Sequence, residues 1–184
     1  MKSLRQVVLA LAACAALLPA AEPLKLTGLD GKAVSIGLEG KTTAVVFVSV
    51  QCPVSNAYNG RMKSLYSEYK AKGIDFVFVN SNATESAGDA AKHAQTNGFT
   101  FAVYKDQDNR LADRLSAQVT PEVFLFDKAG NVVYHGSIDD SRAEERISKR
   151  PLKDALDAAL TGKPVPVAES KAFGCTIKRA SKQS

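Results

Sequence analysis

The chain has 184 residues, 45% of them hydrophobic and 23% charged, with three cysteines and a formal charge of +5. That length is enough for one domain with a proper core plus extensions. The mild charge comes without a basic run interleaved with aromatics, which excludes a nucleic-acid footprint, and three cysteines are too few for a disulfide-stapled mini-domain.

Lys2 and Arg5 precede an apolar run from Val7 to Leu18, and Pro19-Ala20-Ala21 follows. A basic start, an apolar middle and small residues at the end predict a secretory signal peptide over 1–21. The run is too short for a comfortable permanent anchor. Cleavage after Ala20 or Ala21 gives a periplasmic or secreted protein. Leu11-Ala12-Ala13-Cys14 also spells a lipobox, so the alternative is a lipoprotein held at the membrane through Cys14. Either way Cys52 and Cys175 remain. Two sulfurs in an oxidising compartment form a structural bridge or a redox pair.

Leu24–Gly28 and Ala33–Ile36 read as two short strands joined at Asp30-Gly31, a hairpin signal. Thr43–Ser49 is near-continuously apolar, as expected of a strand covered on both faces. A helix follows Cys52-Pro53, with Tyr58, Met62, Leu65 and Tyr69 on one face, and stops at Gly73. Ile74–Asn80 is a strand, and Ser81–Thr84 offers caps for a helix from Glu85 to Thr96. Phe99–Tyr104 is another strand, followed by a turn at Asp106–Asn109 and a short helix carrying Leu111 and Leu115. Thr120-Pro121-Glu122 leads into the strand Val123–Phe126. A turn at Lys128–Asn131 returns the chain as Val132–His135. Ser137–Lys149 reads as an exposed loop or irregular helix. Pro151 starts a last helix with Leu152, Leu156 and Leu160, ending at Gly162.

This order predicts an α/β domain over 22–162: a leading β-hairpin, strands paired in parallel through helices, and an antiparallel hairpin at the end. Residues 163–184 form a tail that carries Cys175. In open α/β sheets function collects at the carboxyl ends of strands, and Cys52 lies at such an end. A thiol at a strand-to-helix junction faces unpaired N–H groups that favour thiolate, the form that reacts. Ser49 and Ser55 are each placed either to donate to that thiolate or to satisfy nearby backbone.

The residues Asp30-Gly31-Lys32, Cys52-Pro53-Val54-Ser55-Asn56, Lys105-Asp106, Thr120-Pro121-Glu122-Val123-Phe124-Leu125-Phe126-Asp127 and Ala172-Phe173-Gly174-Cys175 carry a resemblance. Over roughly residues 24–177 the chain resembles the thioredoxin fold in its redoxin branch. More closely it resembles the exported, peroxiredoxin-like group of the alkyl hydroperoxide reductase/thiol-specific antioxidant superfamily. The resemblance implies a thioredoxin-like central mixed sheet flanked by helices. Cys52 would be the attacking cysteine and Pro121 a cis-proline beside it. Cys175 is a candidate resolving thiol, pairing within one chain or between two; a structural bridge and a spare tail thiol are the other readings. The second cysteine of a Cys-X-X-Cys pair is replaced by Ser55. Ser49 matches the hydroxyl residue three before a peroxiredoxin's attacking cysteine, but Val45 stands where the family has proline. By this resemblance Pro121 occupies the place of the family's catalytic arginine.

The resulting expectation is an exported thiol–disulfide oxidoreductase or peroxiredoxin-like antioxidant protein, acting on a thiol or disulfide protein or on peroxide, without cofactor or metal. The alternatives are a copper-binding module using Cys52 with a histidine, and a non-catalytic interaction domain. His93 reads as solvated and His135 as a surface or packing residue. Asp139, Asp140, Glu144 and Glu145 read as parts of a solvated loop.

Overall fold

The computed structural model describes residues 21–181; the leader and Cys14 lie outside the described residues. In chain order the strands are β1 (Leu24–Gly28), β2 (Ala33–Ile36), β3 (Thr43–Val48), β4 (Asp75–Asn80), β5 (Val103–Lys105), β6 (Val119–Thr120), β7 (Glu122–Phe126), β8 (Val132–Gly136) and β9 (Cys175–Thr176). The helices are α1 (Pro53–Ala57), α2 (Asn59–Ala71), α3 (Ala87–Thr96), α4 (Arg110–Leu115) and α5 (Pro151–Thr161).

β3 is the spine, and all six of its residues are buried. Ala44, Val46 and Val48 join one apolar cluster and Val45 and Phe47 the other, as the two-residue period of a strand requires. Seven strands form a mixed sheet in the order β2-β1-β5-β4-β3-β7-β8. β4 pairs with β3 and β5 in parallel, while β7 runs antiparallel to β3 and to β8. The leading hairpin is attached to the sheet through an antiparallel β1–β5 contact. Met62 and Tyr69 of α2 and Leu152, Ala155 and Leu156 of α5 cover one face. Leu111 and Ala112 of α4 and Ile177 of the tail lie on the other. The architecture is the expected α/β sheet, and four local expectations are corrected.

The helix after Cys52 is two helices. Tyr58 sits between them at φ −93°, ψ −4°, with its ring buried and its hydroxyl donating 2.7 Å to Asp139. The next helix starts at Ala87, because Ser86 and Asp89 form a capping box there; Glu85 is thereby left outside the helix. The strand expected over Phe99–Tyr104 is only Val103–Lys105. Phe99 and Phe101 are drawn instead into an aromatic stack, with ring centroids 4.6 Å apart and Phe101 3.7 Å from Phe78. The segment 137–149 is not an exposed loop throughout. Ser137, Ile138 and Asp139 are buried, and Asp139 is paired with Arg61 at 2.6 Å.

β6 and β9 form a separate two-stranded ladder that the sequence pattern did not announce. The tail reaches it along the molecule's side. His135 accepts Ser170 N–H at its carbonyl, the Tyr134 hydroxyl meets Ser170 Oγ at 2.7 Å, and the Phe173 ring packs edge-on to Tyr58. Beyond the ladder, Ile177 is buried and Lys178 N–H donates 2.8 Å to Asn82 Oδ1.

Candidate active site: a thiol pair at the end of the central strand

β3 ends at Val48, and the chain turns into α1 over Ser49–Cys52. This turn is held from below by Glu85, a carboxylate 3% exposed. Glu85 accepts the Ser49 hydroxyl at 2.6 Å, the N–H groups of Val50 and Gln51 at 2.9 Å each, and Asn80 Nδ2 at 2.5 Å. Burial by itself pushes the Glu85 carboxyl up. The four donors outweigh it and hold the group below the usual value, so Glu85 is ionised. Lys105 lies beside this network, donating to Asn80 Oδ1, the Asn82 carbonyl and the Glu85 carbonyl.

Ser49 spends its proton on Glu85 and accepts the Cys52 N–H at 3.0 Å. The Ser55 hydroxyl accepts the Ser49 N–H at 3.1 Å. Both side chains therefore tie the turn together. It is the backbone N–H of Ser55 that donates to Cys52 Sγ, at 3.3 Å, which makes Cys52 the N-cap of α1. Asn56 braces the outer side, donating 2.9 Å to the Val50 carbonyl and hydrogen-bonding His93 Nε2 at 2.8 Å. His93 is thus partly buried, and desolvation lowers its pKa. That corrects the expectation of a solvated residue.

The Thr120–Pro121 bond is cis and lies across from this turn. The Cys52 thiol reaches the Thr120 carbonyl at 3.3 Å. Thr120 is paired with Cys175 in the β6–β9 register, which sets the tail cysteine beside Cys52 within one chain. Both cysteines are free thiols. Gly174 permits the approach: a Cβ there would lie 1.9 Å from the Thr120 carbonyl oxygen.

The two sulfurs are electrostatically unequal. Burial raises the Cys52 pKa. The polar groups around it, the Cys175 side chain first, then the Ser55 N–H that donates at 3.3 Å, Thr120 and the Cys175 backbone, outweigh this and bring it below the ordinary thiol value. The Thr120 hydroxyl is buried and makes no hydrogen bond among the described residues. Cys175 moves the other way. Its hydrogen bond to Cys52, then desolvation, then the Cys52 charge raise its pKa, and the Val54 N–H and Lys178 offset part of the rise. The arrangement favours a thiolate on Cys52 and a proton on Cys175.

His135 does not join the site. Its Nε2 meets Glu122 at 2.6 Å and its ring stacks on Phe124 at 4.3 Å. Arg61 is also committed elsewhere: its guanidinium pairs with Asp139, donates to the carbonyls of Ser141 and Arg142, and lies 3.6 Å over the Tyr58 ring. Among the described residues no group of three or more His, Cys, Asp or Glu is placed to hold a metal ion. No helix among them is long and apolar enough to cross a membrane. Sequence reasoning missed Glu85 and Thr120. The signal for Glu85 was its place as the only charged residue between Asp75 and Asp89.

The fold and this sulfur pair define a thiol-dependent oxidoreductase of thioredoxin-like fold. The chain belongs to the Redoxin family, whose model matches residues 14–150. A structure of an uncharacterized conserved protein from Geobacillus kaustophilus superposes with a TM-score of 0.79 at 30% identity, covering 90% of this chain and 93% of that one. A hypothetical protein from Sinorhizobium meliloti gives 0.79 at 26% identity, covering 88% and 93%. Among curated relatives, a thiol-disulfide oxidoreductase ResA from Halalkalibacterium halodurans is 26% identical over 65% of this chain and 69% of its own length. A ResA from Bacillus cereus is 28% identical over 59% of this chain and 62% of its own length.

Proposed function

We propose that the protein is an exported thiol–disulfide oxidoreductase whose working couple is Cys52 and Cys175. The observation that carries this reading is the β6–β9 register, which sets Cys175 opposite Thr120, whose carbonyl the Cys52 thiol reaches at 3.3 Å; the pKa of Cys52 is lowered there and that of Cys175 raised. A thiolate beside a protonated thiol is the reduced half of a dithiol/disulfide couple. Oxidation of that pair joins the two sulfurs with loss of two electrons and the single Cys175 proton, and two partner thiols reverse it. Ser49 and Ser55 position the Cys52 turn, and Pro121 fixes the Thr120 carbonyl and hydroxyl beside the sulfur. The ResA relatives support disulfide exchange as the class of reaction. Export rests on the leader read over 1–21, with 22–162 as the redoxin domain and the tail completing its site.

Disulfide exchange is favoured over peroxide reduction by Pro121, which stands where a peroxidase carries the arginine that polarises peroxide. The test is mass-spectrometric mapping of cysteine states before and after hydrogen peroxide, and after a thiol reductant. A reversible Cys52–Cys175 link within one chain is expected. Two cysteines that stay free under oxidation would sink the reading.

A further inference from the structure

Granted the Cys52–Cys175 couple, the next question is which sulfur meets the partner. Cys52 is 3% exposed. Its Sγ is enclosed by the Ser55 N–H, the Thr120 carbonyl and Cys175. The backbone edge at Val119–Thr120, on which an incoming strand would pair, is already taken by the chain's own β9. Phe173 closes one end of this cover against Tyr58, and Ile177 is buried at the other. Cys175 differs. It is half-buried, and its neighbours Gly174 and Thr176 are both exposed.

We propose that partner thiols exchange with this protein at Cys175, and that Cys52 is the leaving sulfur rather than the one a partner touches. In the oxidised protein a partner thiolate attacks Cys175 Sγ. A sulfur–sulfur bond forms between partner and Cys175, the Cys175–Cys52 bond breaks, and its electron pair goes to Cys52 Sγ. The Ser55 N–H is already in place to hold that thiolate. A second partner thiolate then attacks the partner sulfur of the mixed disulfide. The partner leaves as a disulfide, and Cys175 departs with the electron pair and takes up a proton. Two partner thiols are oxidised and one protein disulfide is reduced. In reverse, Cys175 gives up its proton to solvent and attacks a partner disulfide, releasing one partner thiolate; the Cys52 thiolate then attacks Cys175 Sγ, closing the intrachain bond and releasing the second.

Two physical points favour this direction. Exchange requires access to the attacked sulfur, which only the tail cysteine offers. It is also fastest when the leaving sulfur is the more acidic of the two, and the donors around Cys52 make it so. The substrate class is then a thiol or disulfide whose sulfur can reach a rim position, small thiols included, without displacing β9.

The test starts from protein oxidised to the intrachain disulfide. It is mixed with glutathione, quenched in acid, alkylated and mapped. Glutathione on Cys175 with Cys52 alkylated is expected, and glutathione on Cys52 overturns the proposal. If no intrachain disulfide forms, the parent reading fails instead, which separates the two. A second arm needs neither the disulfide nor an accumulating adduct. Folded Cys52→Ser and Cys175→Ser proteins are each reacted with 5,5′-dithiobis(2-nitrobenzoate). The Cys52→Ser protein should be modified at least about tenfold faster; equal rates, or the reverse order, overturn it.

Discussion

The two halves of the sulfur pair are held by opposite means. Cys52 sits on a turn fixed by a buried carboxylate with four donors, and every tie is within 36 residues. Cys175 arrives from 123 positions away, counted from Cys52, on a two-residue strand. Its moorings are a few spaced anchors: Ser170, Phe173, Ile177, and the Lys178 N–H on Asn82. A packed polar network holds an atom in one place. A strand hung between anchors can release or reseat as a unit, because local opening is cheapest where few contacts are lost. The difference teaches that one sulfur is part of the scaffold and the other is delivered to it.

Removing the fixed sulfur is the largest expected effect. Cys52→Ser should reduce thiol–disulfide turnover to background, measured with a dithiol and a disulfide dye, and unchanged turnover would break the comparison at its root. The inequality of the two sulfurs has a pH signature in the wild type. Alkylation of Cys52 should titrate below the ordinary thiol range and that of Cys175 above it. Peptide mapping of iodoacetamide rates against pH reads both.

Next comes the network under Cys52. Glu85→Ala strands the Ser49 hydroxyl, two N–H groups and Asn80, and should cost about 3 kcal/mol in denaturant unfolding. The pH sign follows from the lowered Glu85 pKa. Its contribution is fully present above the unfolded value of 4.5 and is lost as pH falls through the lower folded value. The wild type should therefore lose stability in acid more steeply than Glu85→Gln. Equal acid slopes would show that the carboxylate is not what fixes the turn.

The tail should respond differently. Gly174→Ala places a Cβ on the Thr120 carbonyl and should cost about 1–3 kcal/mol by overpacking. Its sharper effect is on the couple. β9 must shift, so Cys52–Cys175 disulfide formation under mild oxidant should slow while Cys52 alkylation speeds up. A Gly174→Ala protein that closes its disulfide at the wild-type rate would mean that the tail is not seated by this approach.

These contrasts also explain what could be read without coordinates. The apolar runs of β3, β4 and β7, the Cys-Pro and Thr-Pro junctions, and the stops at Gly73 and Gly162 are local signals, and local signals survive in a sequence. The family resemblance implied that Pro121 lies beside Cys52. Glu85 was not legible, because three of its four donors lie 34 to 36 residues away and its own surroundings resemble a helix start. β6 and β9 have two residues each, too short for any period to show. Asp139 looked like one acid in a charged loop. Its burial depends on Arg61 and Tyr58, which only the broken helix brings to it.

The smallest effect tests the delivery of the tail most selectively. Asn82 is buried in the loop after β4, and its Oδ1 accepts the Lys178 N–H. The Ala83 N–H in turn donates 2.9 Å to the Lys178 carbonyl, so one residue of the tail is gripped on both sides. Asn82→Ala removes one grip and leaves the Lys178 N–H unpaired, a loss of about 1 kcal/mol. Because the Cys52 turn does not use the Asn82 side chain, this loss should be confined to the tail. Hydrogen exchange should quicken over β9 and the residues after it and stay unchanged over α1. If protection fell equally in both places, the two sulfurs would be held by one cooperative unit, and the division between scaffold and delivered strand would have to be abandoned.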